Sequence, residues 1–351
     1  MKTEQWELFL QTIHAENTIL PVGLIVDSPW MPGYCKISTI DFFAQPKLWL
    51  DAYVKIRRDF PDILFLPDWW AEYGMATEPS GFGCKIDFSD GTPPTVRHII
   101  RDADDIEAID ELEVPDPRKN GFMPLLLSQQ RAVLPQIRDM GDDIQIVSTR
   151  GPLTVASHLM GVTEFLLLLK LDPDAAHRLL KKTAALCIRW LEAQLENVRD
   201  AEGVLVLDDL SGFLGKADYL EFAHPYLKSV FDAFQDRVRL FHNDTDSDVC
   251  FPYLGELGID LFNPTCKKPI AQIRKLVESR IVILGSLETL MLVNGTAEDV
   301  EQATRTMIGD YASANNGSKK GLIVSTGGGA PMGARMDTIR AMQDAVRGIG
   351  V

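Results

Sequence analysis

Eight short apolar runs recur down this chain, and each ends in a small or polar residue. They read VGLIVDS (22–28), DILFLPD (62–68), IQIVSTR (144–150), VLVLDDL (204–210), VRLFHND (238–244), DLFNPT (260–265), IVILGSL (281–287) and GLIVSTGGG (321–329). Near-continuous Val/Ile/Leu content is what strands covered on both faces require. Helical periodicity fills most of the gaps, most clearly in DPDAAHRLLKKTAALCIRWLEAQLENV, with Asp172 as N-cap and Pro173 in the first turn. Strand–helix alternation repeated eight times predicts an α/β chain closed into a (β/α)8 TIM barrel. The rival, an open doubly wound sheet, lacks its glycine signature, since VDSPWMPG stands after the first strand. The whole of 1–351 is read as one barrel domain. The stretch from about 70 to 140 is an insertion and linker after the second strand.

Composition narrows the function. A net charge of −15 opposes a phosphate backbone, so nucleic acid is excluded as a partner. Five scattered cysteines without a CxxC pair suit a reducing, cytoplasmic compartment. No apolar run reaches the roughly 18 residues of a membrane helix.

Barrels of this class carry their chemistry at the carboxyl ends of the strands. Those ends supply Asp27, Asp68, Arg150, Asp208, Asp209, His242, Asp244, Asn263, Cys266 and the glycines Gly327 and Gly328. Single residues of this kind often cap the next helix, but so many together predict a site. Asp208 and Asp209 are adjacent, so only one is expected in the pocket. His242 and Asp244 lie two apart and share a face, which suits joint metal ligation or an Asp-oriented imidazole base. A third ligand would come from Asp208, Asp209 or Cys266. Trp30, Tyr34 and Trp69 cluster after the first two strands as candidate pocket walls. The TGGG turn, with Gly327 and Gly328, offers backbone N–H groups to an anionic substrate group.

Taken together, these segments resemble the uroporphyrinogen decarboxylase superfamily, which also contains cobamide-dependent methyltransferases. FPDILFLPD, RGPLTVASHLMG, VLVLDDLSGFLGKADYLEFAHPYLK, ELGIDLFN and GSLETLMLVNGTAEDV carry the likeness along nearly the whole chain. The resemblance implies a barrel and a small-molecule substrate. It places the decarboxylase aspartate that faces pyrrole nitrogens at Asp62, among the substrate-binding residues. The arginines that bind carboxylates in the decarboxylases are absent from LIVDSPWMPGY. His242 falls on the histidine of a zinc-binding His-x-Cys, with Asp244 in the cysteine's place and Gly328 near a later cysteine.

The leading expectation is a methyltransferase-like enzyme with His242, Asp209 and Asp208 as catalytic residues. His242, Asp244 and Cys266 would hold zinc or another divalent metal, and a partner protein would carry the methyl-corrinoid. The alternatives are a decarboxylase-like carboxy-lyase and a non-catalytic tetrapyrrole- or corrinoid-binding barrel. Relatives of this type are monomers or homodimers.

Overall fold

The computed structural model describes every residue except Pro29. All eight apolar runs form parallel strands: β1 (Val22–Ile25), β2 (Ile63–Leu66), β3 (Ile146–Arg150), β4 (Gly203–Leu207), β5 (Val238–Asn243), β6 (Leu261–Pro264), β7 (Val282–Leu284) and β8 (Leu322–Ile323). Strands β3 to β8 make one six-stranded sheet in sequence order, and β1 pairs with β2. A parallel bridge between Val22 and Val324 joins β8 back to β1. The ring is thus the (β/α)8 barrel that the alternating pattern predicts.

One seam differs. Among the described residues no ladder joins β2 to β3. Asp68 spans this seam instead, accepting from the Met1 amine at 2.7 Å and from the Gln145 N–H at 2.9 Å. Asp142 lies against the same amine and pairs with Arg57 at 3.3 Å. Between β2 and β3 the chain also forms a two-stranded antiparallel hairpin, Lys85–Asp87 with Thr95–Arg97.

The outer helices follow from their apolar stripes. Helix α1 (Pro152–Met160) follows β3 directly, and α2 (Pro173–Asn197) begins with Asp172 accepting from the Ala175 N–H at 2.9 Å. Helix α2 buries Leu179, Leu180, Leu186, Leu191 and Trp190 on one face. Among the described residues no single helix is long and apolar enough to cross a membrane.

Registers position the polar strand ends. Leu207 pairs with His242, and His242 pairs with Asn263. Side chains alternate along a strand, so Asp209, His242, Asp244 and Asn263 share one face at this end. Asp208 and Asn243 turn to the other.

Candidate functional site

His242 is 6% exposed and anchors the site. Its Nδ1 lies 2.7 Å from Asn263 Oδ1. The Asn263 amide donates to Leu284 O at 2.5 Å and Thr326 O at 3.2 Å, which fixes its oxygen toward the imidazole. Nδ1 must therefore carry the proton, and neutral His242 presents a lone pair at Nε2. Asp209 Oδ1 stands 3.5 Å and Asp244 Oδ2 4.0 Å from Nε2. The three ligand atoms lie within 4.8 Å of one another, close enough to converge on one cation. Burial raises the Asp244 carboxyl above its usual range; His242 opposes the rise and Asp209 adds to it.

The donor set contains no sulfur. Cys266 is not among the groups that converge there; its Sγ accepts from the Thr289 hydroxyl at 3.9 Å. Of the three third groups that the sequence offered, Asp208, Asp209 and Cys266, it is Asp209 that stands beside His242 and Asp244. A thiolate-zinc centre does not fit these residues, whereas a divalent cation bound by one nitrogen and two carboxylates does.

Asp208 leaves the pocket altogether. Its carboxylate accepts from the Leu153 N–H (3.0 Å), the Thr154 N–H (3.1 Å) and the Thr154 hydroxyl (2.9 Å), so it caps the start of α1. Burial pushes its carboxyl up to about 7 against those donors. Its predicted catalytic role is replaced by a structural one.

A second polar cluster lies toward β1 and β3. Arg150 Nη2 donates to Glu72 Oε2 at 2.6 Å, and its guanidinium packs 4.8 Å from the Trp70 ring centre. Glu78 Oε1 accepts from the Arg150 N–H at 2.8 Å and the Thr149 hydroxyl at 3.1 Å. Asp27 belongs to this cluster electrostatically. Burial, then Glu72, push its carboxyl to about 7, while Arg150 and His242 pull it down. Glu78 Oε2 and Ser148 Oγ have no partner among the described residues, and both residues line a small cavity with room for about one water. Glu72 and Glu78 escaped the sequence reading. The only signal was acidic residues inside WAEYGMATEPSGF, without a strand end to place them.

Other expected pocket residues lie elsewhere. Asp62 is exposed ahead of β2, at the amino-terminal end of the barrel and away from His242. Asp68 serves the β2–β3 seam. Trp69 packs on Trp49 and Tyr53, with the Arg57 guanidinium 3.9 Å over its ring. The Trp30 indole N–H donates to Ala334 O at 3.1 Å, and Tyr34 donates to Asp59 at 2.9 Å. The recorded contacts of these three aromatics are packing contacts, and none is with the triad. Gly327 and Gly328 do reach the site: a Cβ on Gly328 would stand 2.6 Å from Asp244 Oδ2, and one on Gly327 would stand 2.3 Å from the Cys266 backbone nitrogen. A groove of about 860 Å³ lies on the opposite face, lined by Lys2, Gln5, Leu8, Leu20, Asp62 and Ile349 among others. Apart from Asp62 it holds none of the groups described above, neither the triad nor the Arg150 cluster, so we place the chemistry at the polar strand ends.

Comparisons with known proteins agree with this architecture. The family model "Uroporphyrinogen decarboxylase (URO-D)" matches residues 38–349. A uroporphyrinogen decarboxylase of Anaeromyxobacter sp. (strain Fw109-5) is 28% identical over 263 residues, 73% of this chain and 71% of its own length. A methylated-thiol–coenzyme M methyltransferase of Methanosarcina mazei is 25% identical over 299 residues, 80% of this chain and 76% of its own. The solved structure of a methyltransferase from Methanosarcina mazei superposes with a TM-score of 0.81 at 16% identity, covering 97% of both chains. Family enzymes of both kinds therefore surround this sequence, and the chain belongs to the uroporphyrinogen decarboxylase (URO-D) family.

Proposed function

We propose that this protein is a methyltransferase that removes a methyl group from a small methylated compound and passes it to a corrinoid carried by a partner protein. One observation supports this most: the buried imidazole of His242, locked by Asn263 with Nε2 open, faces two carboxylates across 3.5 and 4.0 Å. That arrangement suits a divalent metal, zinc or another, which when bound would act as a Lewis acid on the substrate's heteroatom. The chain's own residues would hold it: Asp209 and Asp244 would supply charge, and Asn263 fixes the ring. Asp27, with its carboxyl near neutrality, can hold a proton for the departing heteroatom.

Exposed apolar side chains Phe213, Leu290 and Met332 follow β4, β7 and β8 around this end, which suits a partner seated over it. The arginines that would meet a porphyrinogen's carboxylates are absent from LIVDSPWMPGY, and the site's own carboxylates would repel them. The second reading, a carboxy-lyase, is favoured by the 28% identity to a decarboxylase.

The test uses anaerobic protein with cob(I)alamin as acceptor and methoxylated or methylthiolated small molecules as donors. Formation of methylcobalamin, lost in His242→Ala, is the expected result. Carbon dioxide release from uroporphyrinogen, without methyl transfer from any donor, would select the carboxy-lyase. Methyl transfer that persists unchanged in metal-free protein would remove the metal from the reading.

A further inference from the structure

We propose that Asp209, His242 and Asp244 form a site for a hard divalent cation of the Mn²⁺ class, with Gly328 leaving the room that the Asp244 ligand occupies. This deepens the reading that a metal works at the triad, and rests on it. The donor atoms set the class. Two carboxylate oxygens to one imidazole nitrogen, with no thiolate, admit oxygen-loving cations such as Mn²⁺ and remove the soft donor that biases a site toward zinc or copper(I).

The geometry is built rather than incidental. Nε2 of His242 belongs to a side chain more than nine-tenths buried, and it makes no hydrogen bond among the described residues. Its nearest oxygens stand at 3.5 and 4.0 Å, too far for a hydrogen bond of full strength but near enough to share a cation. With Nδ1 protonated, Nε2 has no hydrogen to give either carboxylate, so three lone-pair donors face one another, an arrangement that a shared cation would satisfy. Asp209 Oδ1 also accepts from the Asp244 N–H at 3.3 Å, which ties the two ligand-bearing segments together. Asp244 keeps 41% of its side chain exposed, so the cation's remaining positions open toward solvent and substrate.

Gly328 enters through space and conformation at once. Its φ is +119°, and a Cβ there would meet Asp244 Oδ2 at 2.6 Å. Any L-residue at 328 would have to strain its own backbone and push the carboxylate away from Nε2. The glycine therefore positions a ligand without contacting the metal.

The test is a Mn²⁺ titration of the full chain, stripped with chelator, followed by electron paramagnetic resonance of the free ion. One Mn²⁺ per chain is expected at sub-millimolar concentration. Asp244→Asn, which keeps shape and fold, should weaken Mn²⁺ by about tenfold or more, on the scale of lost metal-site groups. Asp244→Cys should weaken Mn²⁺ and strengthen Zn²⁺, shifting the ratio of the two affinities toward Zn²⁺. Gly328→Ala should weaken Mn²⁺ about as much as Asp244→Asn, while Asp246→Asn, on the same loop, should leave it unchanged. Wild-type protein that takes up no Mn²⁺ at millimolar concentration overturns the proposal, as does an Asp244→Asn protein that binds it undiminished. Undiminished binding by folded Gly328→Ala overturns the part given to the glycine; a Gly328→Ala protein that melts as wild type validates that comparison. Loss of methyl transfer as a reading would show separately, since the Mn²⁺ signal needs no substrate.

Discussion

At the residue scale the decisive group is Asn263, whose amide fixes which imidazole nitrogen of His242 is free. Replacing it with alanine removes the acceptor at Nδ1 and orphans Leu284 O and Thr326 O. Metal affinity should fall roughly 10- to 100-fold, the usual cost of losing such an outer partner. Nitrogen-15 NMR of His242 should lose its single tautomer; a ring that stays protonated at Nδ1 alone would refute this account of Asn263. Asp27 makes a second residue-scale prediction. Its carboxyl rises from 3.8 to about 7 on folding, so the native state holds this proton more tightly than the unfolded chain. The stability it contributes is present below about pH 4 and is lost as pH climbs to about 7. Asp27→Asn removes that titration. Its melting temperature should gain on wild type progressively from about pH 4 to about pH 7 and hold level above, and a pH-independent difference would contradict the shift. Both residues sit at strand ends that the sequence already marks as polar. Asn263 nevertheless stood there without a role, because its meaning depends on the β5–β6 register that pairs it with His242.

At the scale of elements, Asp208 and Asp209 show what one residue of register decides. Their adjacency alone says that one enters the pocket, but not which. The pairing of Leu207 with His242 settles it: residue 209 follows the parity of 242, and 208 the opposite. Asp208 then finds the open N–H groups at the start of α1, where a carboxylate is well placed. Asp208→Ala should cost about 1–2 kcal/mol for the lost cap, and more for the buried donors left unpaired. Asp208→Asn, which still accepts through one oxygen, should lose less. Urea unfolding of the two variants would measure the order; equal losses would mean that the capping bonds do not matter. The apolar runs were legible because a strand covered on both faces has little choice of residue. Asp62 misled for the same reason in reverse: β2 starts at Ile63, so a carboxylate one residue earlier stands at the wrong end of the barrel. Cys266 was placed correctly near the strand ends, but only side-chain direction could show its thiol against Thr289.

At the scale of the molecule, the long connection between β2 and β3 is fastened to the barrel by charge. Glu72, 7% exposed, meets the buried Arg150 guanidinium, and Glu78, 3% exposed, takes the Arg150 and Thr149 donors. No periodicity announces these carboxylates, because the segment that carries them winds rather than repeats, and their partners lie some seventy residues on. The seam they guard is also the one without a β-ladder. If the ion pair closes it, removing one partner should be far worse than removing both. Arg150→Met leaves Glu72 charged and unpaired in the interior, which should cost about 3–5 kcal/mol. Arg150→Met with Glu72→Gln removes both members of the bridge and should recover a large part of that loss, with Glu78 and Asp27 still losing the guanidinium's field, because a paired buried ion bridge itself contributes little net stability. Denaturant unfolding of both variants, each beside wild type, separates the two cases. A double variant as unstable as the single one would mean that Arg150 holds the barrel through its packing on Trp70 rather than through its charge. In that case the connection would depend on stacking, and Glu72 would be free to serve the site instead of the seam.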